Sequence, residues 1–246
     1  MEFALFYPYL HQILKPTFPA CLWSGSSGKR VVALTFDDGP HPRHTQPLLD
    51  LLDDHQISAS FFLLGQCVDH APEVARAIYQ RGHWMGLHGY THRSFPMLTN
   101  AEIRTSLEKT QEAIARACHL DLSFVQQAIC DVRPPNGLFT PPQLQRLDQW
   151  GFRPVMWSVV PEDWVRPGIE VVVGRVMSQV CDGSLIVLHD GYCGGEDVRA
   201  IAARIIPLLK AQGYEFVTID ELWQNHPTHG PRQSSAASIS TPLDAR

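Results

Sequence analysis

Charged residues and long apolar runs are scarce in this chain, and each shortage argues against a class of protein. Only 18% of the 246 residues are Asp, Glu, Lys or Arg, and the formal net charge is −5, so the composition gives no reason to expect a nucleic-acid partner. No glycine-rich phosphate-binding pattern opens a predicted helix, so a dinucleotide-binding fold gains no support. The hydrophobic content of 44% is nonetheless ample for the core of one large domain.

The cysteines also lack any dense arrangement. There are six of them, with no Cys-x-x-Cys pair: Cys21, Cys67, Cys118, Cys130, Cys181 and Cys193. In a chain of this size such scattered cysteines are more often buried thiols than a disulfide framework. Scattered cysteines of this kind favour a protein that resides in a reducing compartment.

The first 24 residues are apolar and aromatic, but polar residues and Pro8, Pro16 and Pro19 interrupt them. No basic segment precedes an unbroken apolar core, so we predict neither a signal peptide nor a membrane span. We expect residues 1–29 to form an apolar extension or capping helix, with peripheral membrane contact through residues 1–24 as an alternative. Without an export signal, the expected location is cytoplasmic or membrane-peripheral.

Strand-like and helix-like segments alternate along most of the chain. The predicted strands are Val31–Phe36, Ala59–Leu64, Trp84–His88, Ala128–Arg133, Pro154–Val160, Leu185–His189 and Phe216–Ile219. The predicted helices are Thr45–His55, Pro72–Arg81, Asn100–Cys118, Pro142–Trp150, Ile169–Val180 and Val198–Gln212. This alternation predicts an α/β barrel as a single domain over residues 30–222. Residues 223–246 lack apolar periodicity and are predicted to be a disordered tail.

Two neighbouring acidic residues, Asp37 and Asp38, follow the first predicted strand. Adjacent carboxylates are costly to desolvate, and a chain tolerates them where a cation takes one and chemistry uses the other. The segment His88-Gly-Tyr-Thr-His92 supplies two further ligand types. Alone, such a histidine pair is more often a surface or capping feature, but beside the Asp pair it predicts a site for Zn²⁺, or for Co²⁺, Ni²⁺ or Fe²⁺.

Three other polar segments also follow predicted strands. Arg133 precedes a rigid Pro-Pro-Asn136-Gly turn; it could hold the non-ligand Asp ionised, and a turn amide could donate to an oxyanion. His189 ends a fully apolar strand, where a satisfied core histidine is an equally plausible interpretation. Asp163, followed by Trp164, supplies a carboxylate able to set the tautomer of such a histidine and raise its pKa.

Five motifs in this order resemble the polysaccharide deacetylase family (carbohydrate esterase family 4, the NodB-like domain). Thr35–Pro40 is similar to its first motif, and His88–His92 to its His-Ser/Thr-x-x-His motif. The segments 133–137, 161–164 and 185–190 are similar to its Arg-Pro-Pro-Tyr-Gly, Asp-x-x-Asp-Trp and apolar His-Asp motifs.

The resemblance implies a distorted (β/α)7 barrel and a role for each matching residue. Asp38, His88 and His92 would bind a divalent metal, usually zinc, whose bound water attacks an acetamide carbonyl. Asp37 would be the base and His189 the acid. The remaining roles follow the same motifs: Arg133 would orient Asp37, Asp163 would tune His189, the backbone N–H of Asn136 would hold the oxyanion, and Trp164 would wall the acetyl pocket.

The activity implied is hydrolysis of a carbon–nitrogen bond other than a peptide bond, releasing acetate from N-acetylglucosamine-type sugars in a polymer, oligomer or glycolipid. O-acetyl esters or small non-sugar amides are alternative substrates, and a carbohydrate-binding pseudo-enzyme is an alternative function. Gly89, Asn136 and Val160 depart from the family's usual Ser/Thr, Tyr and Asp. No departure falls on an expected ligand, base or acid, and the oligomeric state stays open.

Overall fold

The computed structural model describes residues 6–25 and 28–224, with the side chain of Pro8 left aside. The predicted tail beyond residue 224 and the first five residues therefore lie outside the described part of the chain.

One parallel sheet of seven strands forms the centre of the fold. Its strands are β1 (Val31–Asp37), β2 (Ser60–Leu63), β3 (Trp84–Leu87), β4 (Asp131–Val132), β5 (Arg153–Pro154), β6 (Ser184–His189) and β7 (Glu215–Phe216). The strand order is β5-β4-β3-β2-β1-β6, and β7 pairs with the first residues of β1. Since β1 is central and apolar from Val31 to Leu34, it is buried along almost its whole length.

Ten α-helices are described around this sheet. They are α1 (Tyr7–Thr17), α2 (Thr45–Asp54), α3 (Gly65–His70), α4 (Pro72–Gln80), α5 (Asn100–Cys118), α6 (Leu122–Ala128), α7 (Pro141–Gln149), α8 (Ile169–Gln179), α9 (Gly195–Ala211) and α10 (Ile219–Trp223). The longest, α5, begins with a capping box in which Thr99 and Glu102 each accept from the other's backbone N–H. The predicted single-domain α/β barrel is confirmed.

Between β5 and β6, where the sequence predicted a full strand over Pro154–Val160, the barrel wall has no continuous strand. Only the first residue of that range is in β5, and two isolated parallel bridges, Leu22 to Val155 and Val159 to Ile186, continue the wall. The predicted strand Ala128–Arg133 is likewise reduced to β4. Its first residue is instead the last residue of α6, a helix that begins after Asp121, which caps it by accepting from two backbone N–H groups.

The carboxyl-terminal end of the domain also differs from the prediction. Ile219, predicted to end a strand, starts α10, and Trp223, assigned to the tail, is buried in that helix. Trp223 Nε1 donates at 2.8 Å to Asp131, which also accepts from Arg153 and Trp84. Trp223 and Asp131 lie 92 residues apart in sequence, so no local pattern could have indicated their contact.

Helix α1 packs against the core through Leu14, and the predicted role of residues 1–29 as an apolar extension or capping helix stays a prediction. Its outer side carries four large apolar residues at helical spacing, each more than 40% exposed: Phe6, Tyr9, Leu10 and Ile13. Within the described residues, no helix combines the length and apolarity needed to cross a bilayer. Peripheral membrane contact through α1 stays a prediction.

Candidate active site

The motif residues meet at the carboxyl-terminal end of the barrel. Asp37 ends β1 and lies beside His189, the last residue of β6, in the parallel register. His88 follows β3, and Arg133 follows β4. Asp37, His88 and His189 line one cavity of about 640 Å³, whose lining also includes Asp38, His92, Asn136 and Trp164. Parallel strands bring their carboxyl ends to a common edge, so a site built there from separate motifs is expected.

Asp38, His88 and His92 form the candidate metal centre. Asp38 Oδ1 lies 3.4 Å from His88 Nε2 and 3.3 Å from His92 Nε2. In the described part of the chain this is the one group of three or more His, Cys, Asp or Glu side chains close enough to share a cation. Asp38 has a left-handed backbone, φ 71°, which turns its side chain out of the strand direction.

The donor set fits a divalent cation. Asp38 Oδ1 is buried and receives no hydrogen bond from the described residues, so this oxygen has coordination capacity to spare. His88 Nδ1 donates at 2.7 Å to the carbonyl of Arg133, which leaves the Nε2 lone pair facing Asp38. Burial lowers the pKa of His88 below its usual value and keeps the ring neutral, as a metal ligand must be. Two imidazoles and one carboxylate suit Zn²⁺.

Arg133 forms a buried ion pair with Asp37, which lines the cavity. Its guanidinium donates from Nη1 to Asp37 Oδ1 at 2.6 Å and to Thr35 Oγ1 at 2.8 Å, and from Nη2 to the Met156 carbonyl at 2.8 Å. Arg133 is fully buried and stacks on Phe62 with its Cζ 4.1 Å from the ring centroid. Asp37 therefore has a fixed orientation and a buried counter-charge.

His189, beside Asp37 at the end of the neighbouring strand β6, is paired with Asp163. Asp163 Oδ1 is 2.9 Å from His189 Nδ1, and Asp163 Oδ2 accepts from the His189 backbone N–H at 2.7 Å. Burial disfavours the charged ring, but the Asp163 carboxylate outweighs this, and the pKa of His189 rises to about 9. Trp164 packs edge-on against the imidazole, with 5.0 Å between ring centroids. The ring therefore carries a proton at neutral pH and points Nε2 away from Asp163.

The turn after β4 places Asn136 at the rim. Asn136 has a left-handed backbone, φ 60°, and its side-chain amide donates to Ser94 Oγ at 2.8 Å. Gly137 is also left-handed, and a Cβ there would lie 2.7 Å from the Trp157 ring, so glycine is required. The tight turn thus depends on the Asn-Gly pair that the sequence indicated.

Gly89, the departure between the two histidines, is compensated by another element. Its φ of 87° favours glycine, and Ser106 Oγ of α5 accepts from the next backbone N–H, that of Tyr90, at 2.7 Å. A hydroxyl from a helix thus steadies the loop that carries the two histidines.

Sequence reasoning missed several residues at the site. Asp190 is fully buried and accepts a hydrogen bond from Thr45; burial raises its pKa to about 7. A Cβ on Gly39 would overlap the Asp190 carboxylate, so these two positions are coupled. Asp190 directly follows His189 in its motif, which was an available signal. Tyr7 and Trp157 also line the cavity, and no local signal pointed to either.

Comparison with known proteins identifies the family. A family model described as polysaccharide deacetylase matches residues 24–155. A chitooligosaccharide deacetylase of Bradyrhizobium sp. strain ANU 289 is 35% identical over 208 residues, covering 80% of this chain and 92% of the relative. A peptidoglycan-N-acetylglucosamine deacetylase of Bacillus cereus is 32% identical over 215 residues, covering 87% of this chain and 97% of the relative.

Solved structures agree with these sequence matches. The Bc1960 peptidoglycan N-acetylglucosamine deacetylase superposes with a TM-score of 0.79 at 31% identity, covering 86% of this chain and 96% of the other. A carbohydrate esterase family 4 pseudoenzyme from Bacillus anthracis gives a TM-score of 0.74 at 29% identity, covering 83% of this chain and 69% of the other. With its motifs assembled on the family's distorted barrel, the chain belongs to the polysaccharide deacetylase family.

Proposed function

We propose that this protein is a metal-dependent hydrolase that removes N-acetyl groups from N-acetylglucosamine-type sugars. The observation that carries the proposal is one cavity containing a two-histidine, one-carboxylate cation site with Asp37 and His189 beside it. Relatives named as chitooligosaccharide and peptidoglycan N-acetylglucosamine deacetylases support the substrate class.

Asp38, His88 and His92 would hold the cation, which supplies Lewis-acid chemistry by polarising a carbonyl and acidifying water. Asp37, held by Arg133, accepts a proton from water as its oxygen forms a bond to the acetamide carbon. The backbone N–H of Asn136 donates to the developing oxyanion.

His189 performs the second proton transfer. Because Asp163 keeps its imidazole protonated, His189 can give its proton to the nitrogen as the carbon–nitrogen bond breaks. Acetate and a free amine leave. Trp164 bounds the space next to His189, where we place the acetyl methyl group.

The shape of the cavity favours a sugar over a small amide. A volume of about 640 Å³ falls within the range of sites that bind molecules much larger than an acetamide. Four aromatic residues line it: Tyr7, Trp157, Trp164 and Tyr192. Aromatic rings offer flat apolar faces to pyranose rings, while their polar edges bond to hydroxyls.

Acetate release from N-acetylchitooligosaccharides tests the proposal, with protein reconstituted with Zn²⁺ or Co²⁺. Asp37→Asn removes the base, so we expect retained metal and a loss of turnover of roughly 10²-fold or more. Asp54→Asn, the same change at an exposed residue of α2, is the matched control.

The other outcomes separate the alternatives. Release from O-acetylated xylan, but none from the N-acetylated oligomers, would replace N-deacetylation with ester hydrolysis. Stoichiometric metal with no release from either substrate would favour a small non-sugar amide as the substrate, and no release together with no bound metal would favour the pseudo-enzyme. Near-normal turnover by Asp37→Asn would refute the role of that carboxylate.

A further inference from the structure

One wall of the cavity comes from outside the residues that the family model matches. The match to the family model begins at residue 24, whereas α1 covers Tyr7–Thr17. Tyr7, at the start of α1, nevertheless lines the cavity together with Asp37, Asn136 and His189. The wall that it forms is therefore an addition to the part of the fold that the family model describes.

A chain of aromatic contacts fixes Tyr7 in place. The Tyr7 ring meets Trp157 edge-to-face, with 5.5 Å between centroids and 83° between planes. Trp157 in turn packs edge-to-face against Trp23, with 6.0 Å between ring centroids and 85° between ring planes. At the far end of the helix, Phe18 packs against Phe139 at 5.1 Å. Interlocked edge-to-face pairs resist sliding, so α1 presents Tyr7 as a fixed part of the cavity.

The same contacts link Tyr7 to the turn that carries Asn136. Trp157 lies directly against Gly137, where only glycine leaves room for the indole. By resemblance to the family, the residue at position 136 would be a tyrosine, but here it is an asparagine whose side chain is used in bonding Ser94. The aromatic surface on this side of the cavity is supplied by Trp157 and Tyr7 instead.

The phenol is suited to sugar recognition. Tyr7 is half-buried, and burial, followed by the nearby Glu162 carboxylate, raises the pKa of its hydroxyl above the usual value. The hydroxyl is thus neutral and able both to donate and to accept a hydrogen bond. A ring with a neutral hydroxyl at its edge can cover the apolar face of a pyranose and bond to its hydroxyls.

We propose that Tyr7 is a specificity-determining residue, which contacts the saccharide unit next to the one that loses its acetyl group. This inference rests on the proposed N-deacetylation. It places recognition of the longer substrate on α1, while the acetyl group is handled by the residues around Asp37 and His189.

The test compares two substrates on the full chain reconstituted with metal. N,N′,N″,N‴-tetraacetylchitotetraose needs the neighbouring saccharide contact, whereas 4-nitrophenyl acetate presents an acetyl group without a sugar. Tyr7→Leu removes the ring but keeps an apolar, helix-favouring side chain against Trp157. We expect the ratio of kcat/KM for the tetrasaccharide to that for the ester to fall about 3- to 10-fold, mainly through KM.

Two further variants make the result specific. Tyr9→Leu makes the same change two residues away on the exposed side of α1 and should match the unmodified protein. Tyr7→Phe keeps the ring and should recover most of the lost ratio. Thermal melting of each variant identifies any that fails to fold, and if Tyr7→Leu does, Tyr7→His and Tyr7→Met repeat the comparison.

An unchanged ratio in Tyr7→Leu would overturn the inference and leave the proposed function intact. An equal fall in Tyr9→Leu would also overturn it, because the effect would then belong to the helix. If the unmodified protein hydrolyses the ester but releases no acetate from the tetrasaccharide, N-deacetylation fails, and the inference fails with it.

Discussion

Replacing Asp163 by Asn tests how the protein keeps His189 protonated. Burial disfavours the charged ring, and the Asp163 carboxylate is the main influence that outweighs it to bring the pKa to about 9. Asn has nearly the same shape but no charge. We therefore expect the pKa of His189 in Asp163→Asn to fall to 6.5 or below, where burial alone would hold it.

The magnitude follows from this interval. A fall in the pKa of His189 from about 9 to 6.5 corresponds to a loss of about 3 kcal/mol in the free energy of unfolding, because one pKa unit is worth about 1.4 kcal/mol. Because the folded-state pKa exceeds the unfolded value, the stabilisation is complete below pH 6.5 and is lost as the pH rises through 9. The difference in unfolding free energy between the unmodified protein and Asp163→Asn should therefore be largest near pH 6 and shrink towards pH 9.

Proton–nitrogen NMR of the histidine rings in metal-free protein measures the pKa directly, and His189→Gln assigns the signal. Denaturant unfolding at pH 6 and pH 9 measures the free energies. Asp54→Asn, an exposed carboxylate on α2, should leave both quantities unchanged. A His189 pKa that stays above about 8 in Asp163→Asn would refute the assignment of the shift to that carboxylate.

Two further predictions concern the buried pair and the metal site. Arg133→Met leaves Asp37 buried without its counter-charge and should lower the free energy of unfolding by about 3–5 kcal/mol. The same change at the exposed Arg93 should alter the free energy of unfolding by under about 0.5 kcal/mol. Similar losses in both variants would contradict the pairing of Arg133 with Asp37. His92→Ala should weaken Zn²⁺ binding at least about tenfold in a competition titration, with the exposed His70→Ala as control. Unchanged affinity would mean that other residues form the site.

Much of the site could be predicted because each group follows its own strand. Asp37 and His189 end apolar strands, and strands of this kind are recognisable from a few neighbouring residues. In a parallel barrel the ends of such strands meet, so the convergence follows from the fold class. Gly89 and Asn136 were correctly read as local departures, but their consequences depended on Ser106 and Ser94, which lie in other segments.

The barrel wall was harder to predict where strands are short. β4 and β5 have two residues each, and the wall beyond β5 consists of isolated bridges. A strand of two residues leaves no periodic pattern, and its position depends on which neighbour supplies the hydrogen bonds. The apolar content of 154–160 was therefore a correct sign of burial but not of a continuous strand.

The sequence by itself determined the alternating architecture, the family and most of the residues that meet at the candidate site, because these depend on short-range order along the chain. Tertiary structure alone decided which partners these residues have. Arg133 reaches Asp37 across 96 positions, Trp223 reaches Asp131 across 92, and Tyr7 enters the cavity through Trp157. Such contacts require the chain to have closed its barrel, and their stabilisation comes from burial that no local segment possesses.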